Sequence, residues 1–242
     1  MVSKSQIKLI TSLKQKKFRV KEGLFIAEGP KVISELRNEG FKMHALFSTE
    51  AEEDHTNQIY RISALELQKI STLKSANSSV AIFEIPHQIE GPSEGLILAL
   101  DAIRDPGNLG TIIRLCDWFG VSQLVCSLDT VDCYNPKVVQ STMGSIARIG
   151  INYVDLPEYL GKSALPIYGG VLGGEDVYSE VLPKQAILVI GNESNGISKE
   201  IASCLTHKVT IPQFGKEQKT ESLNAATATA ILLSEFNRSI ER

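Results

Sequence analysis

The chain has 242 residues, of which 43% are hydrophobic and 22% are charged, and its formal net charge at pH 7 is −3. This length allows one large domain or two modest ones, and the composition excludes disorder throughout the chain. No apolar run approaches the ~20 residues that span a bilayer, and the N-terminus has no apolar segment that could act as a signal peptide. The four cysteines form no C-x-x-C pair and the four histidines are scattered. The sequence therefore indicates neither a disulfide framework nor a metal site, and a reducing, cytoplasmic setting is expected.

The positive charge of the chain is concentrated at its N-terminus. Residues 1–21 contain seven Lys or Arg and no Asp or Glu, which gives +7 there against −10 over the remainder. A basic segment on an otherwise acidic chain is typical of proteins that bind a polyanion such as RNA. A solvated helix face that only confers solubility has the same pattern, so both interpretations stay open. The residues to which we assign RNA binding are Lys14, Lys16, Lys17, Arg19 and Lys21.

Helix and strand signals alternate through residues 1–90, which predicts a small α/β domain. The predicted helices are Ser3–Lys16, a helix opened by Gly29 and Pro30 and stopped at Gly40, and Ala64–Ile70. The predicted strands are Leu24–Ala27, Ala45–Ser48, Gln58–Ile62 and Val80–Ile85. Pro and Gly recur from Pro86 to Gly95 and predict a linker, which we place at residues 91–95.

Apolar, strand-like runs become regular from Leu96 onward. They are Leu96–Leu100, Gln123–Ser127, Ile151–Val154, Ile167–Val171, Ala186–Ile190 and Lys208–Ile211. Most of the connections between them carry a helix signal, and strands that alternate with helices predict a parallel sheet with helices on both faces. The predicted fold class is therefore α/β, with a second, larger domain at residues 96–242.

The first segment that could carry chemistry follows the first of these strands and begins a helix. It runs from Asp105 through Asn108 to Arg114, and Gly120 stops the helix. Asn108 is predicted to cap the helix. The spacing of six residues, taken as close to two turns, predicts Asn108 and Arg114 near one edge of the helix. A simple cap at Asn108 and a surface ion pair of Arg114 would explain the same residues without any function.

Further polar segments follow other strands of the second domain. The segment Ile190–Ile197 places Glu193 at the end of the most apolar strand, where open α/β sheets bind ligands, although an ordinary strand-to-helix turn is equally open. Glu221–Ala230 leads into a helix of small residues that permits close packing against a second helix, with Ser222 as a simple cap as the alternative. The paired glycines of Tyr168–Gly174 suit backbone contacts to a flat ligand. The Rossmann, Walker A and G-x-S-x-G signatures are absent.

The order of these segments resembles a known family. N-L-G-T-I-I-R, G-N-E-S-N-G-I and I-P followed by E-S-L-N-A-A-T-A-T-A-I-L-L-S-E-F-N-R are similar to the three motifs of the SpoU/TrmH family of RNA 2′-O-ribose methyltransferases, in the SPOUT superfamily. The stretch N-P-K-V-V-Q-S-T-M-G-S also resembles that family, and the likeness covers roughly residues 96–238. The part from Ser12 through Pro30 resembles the small, ribosomal-protein-like RNA-binding domain that is often fused ahead of it.

This resemblance implies an architecture and a cofactor. The second domain would contain a C-terminal trefoil knot, which is an exception to the rule against threaded chains. The knot would bind S-adenosylmethionine through backbone groups. The family also forms homodimers through its knot helices, and the partner chain completes each active site.

The resemblance also implies site residues. The stretches that would bind the cofactor contain Leu172, Gly173, Ile190, Gly191, Ile211 and Leu223, and the catalytic set is Asn108, Arg114, Glu193, Ser222 and Asn224. The family casts Arg114 as the base, but a guanidinium normally stays protonated. We therefore interpret Arg114 as the group that holds a phosphate and stabilises the developing alkoxide. Asn108 and Asn224 would orient Arg114, the ribose or the cofactor loop, and Glu193 would fix Arg114 or serve as an alternative base.

Two alternatives to a ribose methyltransferase stay open from the sequence. One is a base methyltransferase of the same superfamily, and the other is a non-catalytic RNA-binding or ribosome-assembly protein that has kept the fold. The expected partner is ribosomal or transfer RNA, without a membrane or a metal.

Overall fold

The computed structural model describes residues 2–51, 54, 58–86, 95–215, 217 and 221–240. Its contacts divide the chain into a first unit of Met1–His87 with Asp132–Arg148 and a second unit of Gln88–Val131 with Ile149–Arg242. The sequence-based division into residues 1–90 and 96–242 placed 132–148 in the second domain, whereas in packing terms this segment belongs with the first unit. Residues 91–94 of the predicted linker lie outside the described residues.

The described part of the first unit forms a four-stranded sheet with helices on its faces. The strands, in spatial order, are β1 (Leu24–Glu28), β4 (Ser79–Glu84), β2 (Met43–Ser48) and β3 (Ile59–Arg61). β4 is antiparallel to both of its neighbours, and β2 and β3 are parallel. The helices are α1 (Lys4–Ser12), α2 (Lys16–Glu22), α3 (Pro30–Asn38) and α4 (Ala64–Ile70). Alternate residues of β1 point to opposite faces: Ile26 joins the core under α1 and α4, whereas the Phe25 ring packs against Phe83 and Tyr134.

The single helix predicted over Ser3–Lys16 is wrong, because the chain turns between α1 and α2. Leu13 ends α1 and is fully buried. Its carbonyl accepts a hydrogen bond of 2.8 Å from Arg19 Nη1 in α2. A continuous helix would commit this carbonyl to the helical ladder, so the break supplies the buried guanidinium with an acceptor.

Residues 132–148 pack with the first unit through a buried ion pair. Arg19, which is 2% exposed, donates from Nε and Nη2 to Asp132 Oδ2. The segment continues as α6 (Pro136–Thr142) and a short 3-10 helix (Ser145–Ala147), and Arg148 pairs with Glu35 of α3. The charge pattern assigned Arg19 to RNA binding, but its guanidinium is committed to these internal acceptors.

The described part of the second unit contains a six-stranded sheet in which all neighbouring strands are parallel. Its spatial order is β10 (His207–Thr210), β8 (Ile167–Asp176), β9 (Ala186–Ile190), β5 (Leu96–Leu100), β6 (Gln123–Ser127) and β7 (Gly150–Val154). The helices are α5 (Pro106–Phe119), α7 (Leu156–Gly161), α8 (Lys199–Ala202) and α9 (Ala225–Ile240). α5 packs against α9 and β6, while α7 contacts α8 and β6. The predicted parallel α/β sheet and the smaller N-terminal α/β domain are confirmed, and the trefoil knot stays a prediction.

The strand order places a switch point between β5 and β9. The chain leaves β5 for β6 and β7 on one side, and β9 and β8 lie on the other. At such a point the connections diverge and leave a crevice at the carboxyl ends of the strands.

No helix within the described residues is long and apolar enough to cross a membrane.

Candidate active site

Side chains from three distant segments join at the carboxyl ends of β5 and β9. Asn108 Nδ2 donates to Glu193 Oε1 at 2.8 Å, and Asn224 Nδ2 donates to Asn108 Oδ1 at 2.9 Å. These residues are separated by 85 and 116 positions in the chain. The fold therefore joins three residues of the predicted catalytic set in one line of hydrogen bonds, with Asn108 at its centre.

The first segment is held by a helix cap that differs from the predicted one. Asp105 is the N-cap of α5, because its Oδ1 accepts from the backbone N–H of Asn108 at 2.9 Å. At Gly107, an added Cβ would lie 2.9 Å from Asp105 Oδ1. The cap thus fixes the first turn of α5 and leaves the Asn108 amide free to bind Glu193. The predicted cap at Asn108 is wrong, and the predicted stop at Gly120 is confirmed by its left-handed φ of +70°.

The second segment is a tight turn after β9. Asn192 and Gly196 exchange two backbone hydrogen bonds of 2.9 Å. Asn192 Nδ2 donates to the Ala102 carbonyl at 2.7 Å and to Glu193 Oε2 at 3.3 Å, so it ties the turn to the end of β5. An added Cβ at Gly191 would lie 2.3 Å from the Gly196 backbone, which leaves no room for a side chain. Glu193 therefore receives one amide donor on each carboxylate oxygen.

The third segment begins α9. Asn224 Oδ1 accepts from the backbone N–H groups of Ala226 and Thr227, at 3.0 and 3.2 Å. Asn224 therefore acts as the cap, while its Nδ2 reaches Asn108. The alternative that gave the cap to Ser222 is wrong; Ser222 is exposed and makes no hydrogen bond with the described residues. The buried small residues Ala225, Ala226 and Thr229 begin the helix that packs on α5.

Arg114 does not join this network within the chain. It is exposed and makes no hydrogen bond or ion pair with the described residues. Six residues correspond to about 1.7 helical turns, so Arg114 lies about 120° around α5 from Asn108 rather than at the same edge. The Glu193 carboxylate is held by Asn108 and Asn192 instead of by Arg114.

A second group of predicted residues surrounds an irregularity in β8. Lys208 and Val209 are consecutive in β10 but pair with Gly169 and Glu175 of β8, so residues 170–174 leave the ladder. Within this excursion Leu172 is 68% exposed, and Gly173 has a φ of +74° with open space beside it.

The rest of this group lies at the neighbouring strand ends. Ile190 is the buried last residue of β9, and an added Cβ at Gly170 would lie 3.5 Å from its Cδ1. Gly191 and Ile211 directly follow β9 and β10, and Leu223 is 47% exposed ahead of α9. The structure thus places an exposed glycine-containing excursion beside the ends of two strands.

Four of the five predicted RNA-binding residues lie at the surface. The exposed residues are Lys14, Lys16, Lys17 and Lys21. Lys14 Nζ donates to the Ser71 carbonyl at 3.1 Å, and Lys21 pairs with Glu22 at 3.5 Å. Arg19 is the buried exception. The sequence did not reveal this, because a cluster of basic residues carries no information on which side chain faces a tertiary partner.

Several residues that support the site were not singled out from the sequence. Asp101 Oδ2, at the end of β5, accepts from the Ser198 backbone N–H at 2.7 Å and so positions the start of α8. Asp101 also lines a polar cleft of about 380 Å³ with Arg104, Asp129 and Asn192. Polar residues directly after predicted strands were the signal that could have found them.

Burial affects the titration of groups near the sheet. It raises the pKa of the Cys116 thiol in α5, and burial followed by the charge of Glu180 raises the pKa of Tyr168 in β8. Both groups therefore stay protonated at neutral pH. Within the described ranges, no cluster of three or more His, Cys, Asp or Glu side chains could hold a metal ion.

The fold and the site together define a class: a parallel α/β domain with a polar site at its strand ends, preceded by a small α/β unit. The model of the SpoU rRNA Methylase family matches residues 95–234, and that of the MRM3-like substrate binding domain matches residues 4–81. The chain belongs to the SpoU rRNA methylase family. The predicted family and the prediction of an RNA methyltransferase are thereby confirmed.

Individual relatives agree with this assignment along most of the chain. The 23S rRNA (guanosine(2553)-2′-O)-methyltransferase of Bacillus subtilis is 28% identical over 91% of this chain and 91% of its own length. A solved TrmH-family structure from Porphyromonas gingivalis is 36% identical, with a TM-score of 0.88 over 98% of this chain and 99% of that one. The AdoMet-bound rRNA methyltransferase of Sinorhizobium meliloti is 29% identical, with a TM-score of 0.86 over 98% and 97% of the two chains.

Proposed function

We propose that this protein transfers a methyl group from S-adenosylmethionine to a ribose 2′-hydroxyl in structured ribosomal or transfer RNA. The observation that carries the proposal is the line of hydrogen bonds from Asn224 through Asn108 to Glu193, at the carboxyl edge of the sheet. It joins the three motifs of a family whose Bacillus subtilis member is named for 2′-O-methylation of 23S rRNA. A cytoplasmic location is proposed with it.

The residues around β8 fit S-adenosylmethionine, the ligand of the Sinorhizobium meliloti structure. Leu172 and Leu223 are exposed apolar side chains, and Gly173 leaves open space beside its backbone. These features suit a flat apolar ring and backbone hydrogen bonds. The residues that we assign to cofactor binding are Leu172, Gly173, Ile190, Gly191, Ile211 and Leu223. When bound, the cofactor would supply a methyl group attached to a sulfonium. After the methyl group is transferred, the sulfur becomes a neutral thioether.

The chain's own contribution is to orient the ribose hydroxyl and to stabilise the charge that develops on it. A carboxylate can accept about four hydrogen bonds, and Glu193 receives two from Asn108 and Asn192, so it keeps sites to accept from a hydroxyl or a guanidinium. Glu193 is thus fixed in position before RNA arrives, which lowers the entropic cost of alignment. Ser222, exposed beside the network, is assigned to the RNA or the cofactor.

We propose that Arg114 acts in the active site of a partner subunit. In its own chain it is exposed and does not reach Glu193, although it belongs to the family motif. Trp118 lies one turn further along α5 and is 84% exposed, and an exposed indole on a helix face is typical of an interface. A homodimer through this face of α5 would bring Arg114 to the partner's ribose and phosphate.

The reaction is tested by methyl transfer from labelled S-adenosylmethionine to total RNA from cells that lack the gene. A 2′-O-methyl protects the adjacent phosphodiester from alkali, whereas a base methyl does not, so the alkali-resistant dinucleotide distinguishes the two reactions. Asn108→Ala and Glu193→Gln should each lower turnover by about 10²-fold. Glu158→Gln, which removes an exposed charge on α7, is the matched control and should change little. Label in alkali-sensitive positions would instead establish a base methyltransferase.

The role of Arg114 is tested by mixing two inactive variants. Arg114→Ala and Glu193→Gln subunits, exchanged at equal concentration, give mixed dimers that contain one site with both defects and one with neither if Arg114 acts across the interface. Activity should then recover to about a quarter of the wild-type value. If Arg114 serves its own subunit, every site in every dimer is defective and no activity returns.

The lysines of the first unit are proposed to bind the RNA backbone. Replacing Lys14, Lys16, Lys17 and Lys21 with Gln should weaken RNA binding and flatten its dependence on salt, since each lost phosphate contact lowers the slope by about 0.7–0.9. Replacing four exposed lysines of the second unit, Lys162, Lys184, Lys199 and Lys208, is the charge-matched control. Equal slopes in both variants would show that the cluster confers solubility only.

A further inference from the structure

An open depression of about 550 Å³ lies on the first unit, apart from the catalytic network. Its walls come from three elements: Ile33, Ser34, Arg37 and Asn38 of α3, Leu46 and Ser48 of β2, and Ser78 and Ser79 at the start of β4. Pro30, Glu50 and Ala51 complete the lining. Small-molecule sites in proteins occupy about 300–1,000 Å³, so a single nucleotide fits this volume.

Ser79 indicates that the depression is built for a polar ligand. It is 6% exposed, and its Oγ is buried with no hydrogen-bond partner among the described residues. A buried hydroxyl without a partner costs stability, so few persist in folded proteins. The neighbouring Ser48, which pairs with Ser79 across β2 and β4, is satisfied: its Oγ donates to the Ser78 carbonyl and accepts from the Glu50 N–H. The unmet hydrogen bond therefore belongs to Ser79 specifically.

The other polar groups of the depression suit a nucleotide better than a simple anion. Arg37 is exposed and makes no ion pair within the described residues, so it can meet a phosphate. Glu50 would repel a free phosphate but can accept from the N–H groups on the edge of a base. The buried side chains of Ile33 and Leu46 form an apolar floor beneath these groups. A ligand that carries both an anion and N–H donors on a flat ring satisfies all of these groups.

We infer that this depression binds one unpaired nucleotide of the RNA substrate. The inference rests on the proposed function, because it assigns to the substrate-binding unit a site for a base that has left its helix. Such a site favours single-stranded loops and ends over duplex RNA, because paired bases cannot enter it.

The test uses the full chain and a short fluorescein-labelled oligoribonucleotide of mixed sequence, single-stranded or annealed to its complement. Fluorescence anisotropy at fixed salt should show preference for the single strand. Arg37→Gln should weaken that binding about tenfold. Arg61→Gln, which removes an equal charge from β3 outside the depression, should change it less than about twofold. Equal losses in the two variants, or no preference for the single strand, would overturn the inference.

Ser79→Ala gives a second readout that a structural role would not reproduce. It removes the unsatisfied hydroxyl, so the free protein should melt about 2–4 °C higher while single-strand affinity falls. A lower melting temperature, or unchanged affinity, would count against the site. Binding of 5′-GMP or 5′-AMP as tight as that of the oligonucleotide would assign the depression to free nucleotides.

Failure of the site and failure of the proposed function give different results. If the Arg37 and Ser79 variants methylate total RNA with an unchanged KM, the depression is not a substrate site although the enzyme is a methyltransferase. If wild-type protein methylates no RNA, the contrast between Arg37 and Arg61 still decides whether the depression binds a nucleotide.

Discussion

The ion pair between Arg19 and Asp132 should be among the most stabilising contacts of the first unit. In the structure the Arg19 guanidinium has two acceptors, the Asp132 carboxylate and the Leu13 carbonyl, and the two side chains are 2% and 14% exposed. Asp132→Ala leaves the buried cation with the Leu13 carbonyl alone. Removing one partner of a buried pair costs about 3–5 kcal/mol, so we expect a loss of that size in the free energy of unfolding of this unit.

The matched control is the pair that holds the other end of the same segment. Arg148 and Glu35 lie 2.8 Å apart but are 32% and 37% exposed. Because exposed pairs contribute about 0–1 kcal/mol, Glu35→Ala should be nearly neutral. The Cβ of Glu35, which lies close to Gly144, is kept in that variant.

Hydrogen exchange measured by mass spectrometry is the suitable assay, because the two units need not unfold together. The single tryptophan, Trp118, lies in the second unit and does not report on the first. Peptides from β1 and β4 report on the first unit. Where refolding outpaces exchange, Asp132→Ala should accelerate their exchange by about 10²–10⁴-fold. The combined replacement Arg19→Met with Asp132→Leu should recover most of the loss, because a well-packed apolar pair avoids the desolvation cost. An Asp132→Ala effect no larger than that of Glu35→Ala would refute the assignment.

Three further predictions concern local chemistry. At Gly174 an added Cβ would lie 2.6 Å from the Lys208 backbone, so Gly174→Ala should weaken S-adenosylmethionine binding at least about tenfold in calorimetry, whereas Gly215→Ala, with open space around it, should not. Backbone N–H groups of Ser63 and Val2 lower the pKa of Glu66 to about 2 from 4.5. The stabilising effect of the ionised Glu66 is therefore complete above pH 4.5 and is lost as the pH falls toward 2. The difference in melting temperature between wild type and Glu66→Gln should accordingly shrink to zero over that range. A constant difference would exclude the charge as its cause. Cys204 is the most exposed of the four free cysteines, so it should react with a thiol reagent before Cys116, Cys126 and Cys133, which should react only on unfolding.

The central strands were predictable from local sequence, and their irregular neighbours were not. β5, β6 and β9 begin and end at the predicted residues, because strands buried on both faces read as uninterrupted apolar runs. β8 extends to Asp176, five residues beyond the prediction. The glycines of that extension carry no strand propensity, and only pairing with β10 on both sides of the excursion makes it a strand.

Tertiary contacts also decide what a charged residue does. Arg19 stands among lysines in the sequence and shares their charge, but its planar guanidinium can serve two internal acceptors at once, which suits it to burial. The acceptor that selects it, Asp132, is 113 residues away. No local pattern could have separated Arg19 from Lys17 or Lys21, and this distant pair is also one of the contacts that bind residues 132–148 to the first unit.

Local sequence could not show which residues of the candidate site meet in the fold, and this has one consequence for its mechanism. Asn108, Glu193 and Asn224 were grouped by family resemblance, and the structure shows how the switch point between β5 and β9 brings them together. Arg114 belongs to the same motif as Asn108, but α5, whose first turn is capped by Asp105, directs it about 120° around the helix from Asn108. A cation that stabilises the alkoxide must come within hydrogen-bond distance of it. Either another cation of the chain serves, and Arg104 beside Asp129 lines the described cleft with Asn192, or the Arg114 of a second subunit does. The mixed-dimer experiment separates these, because only the second possibility restores activity from two inactive variants.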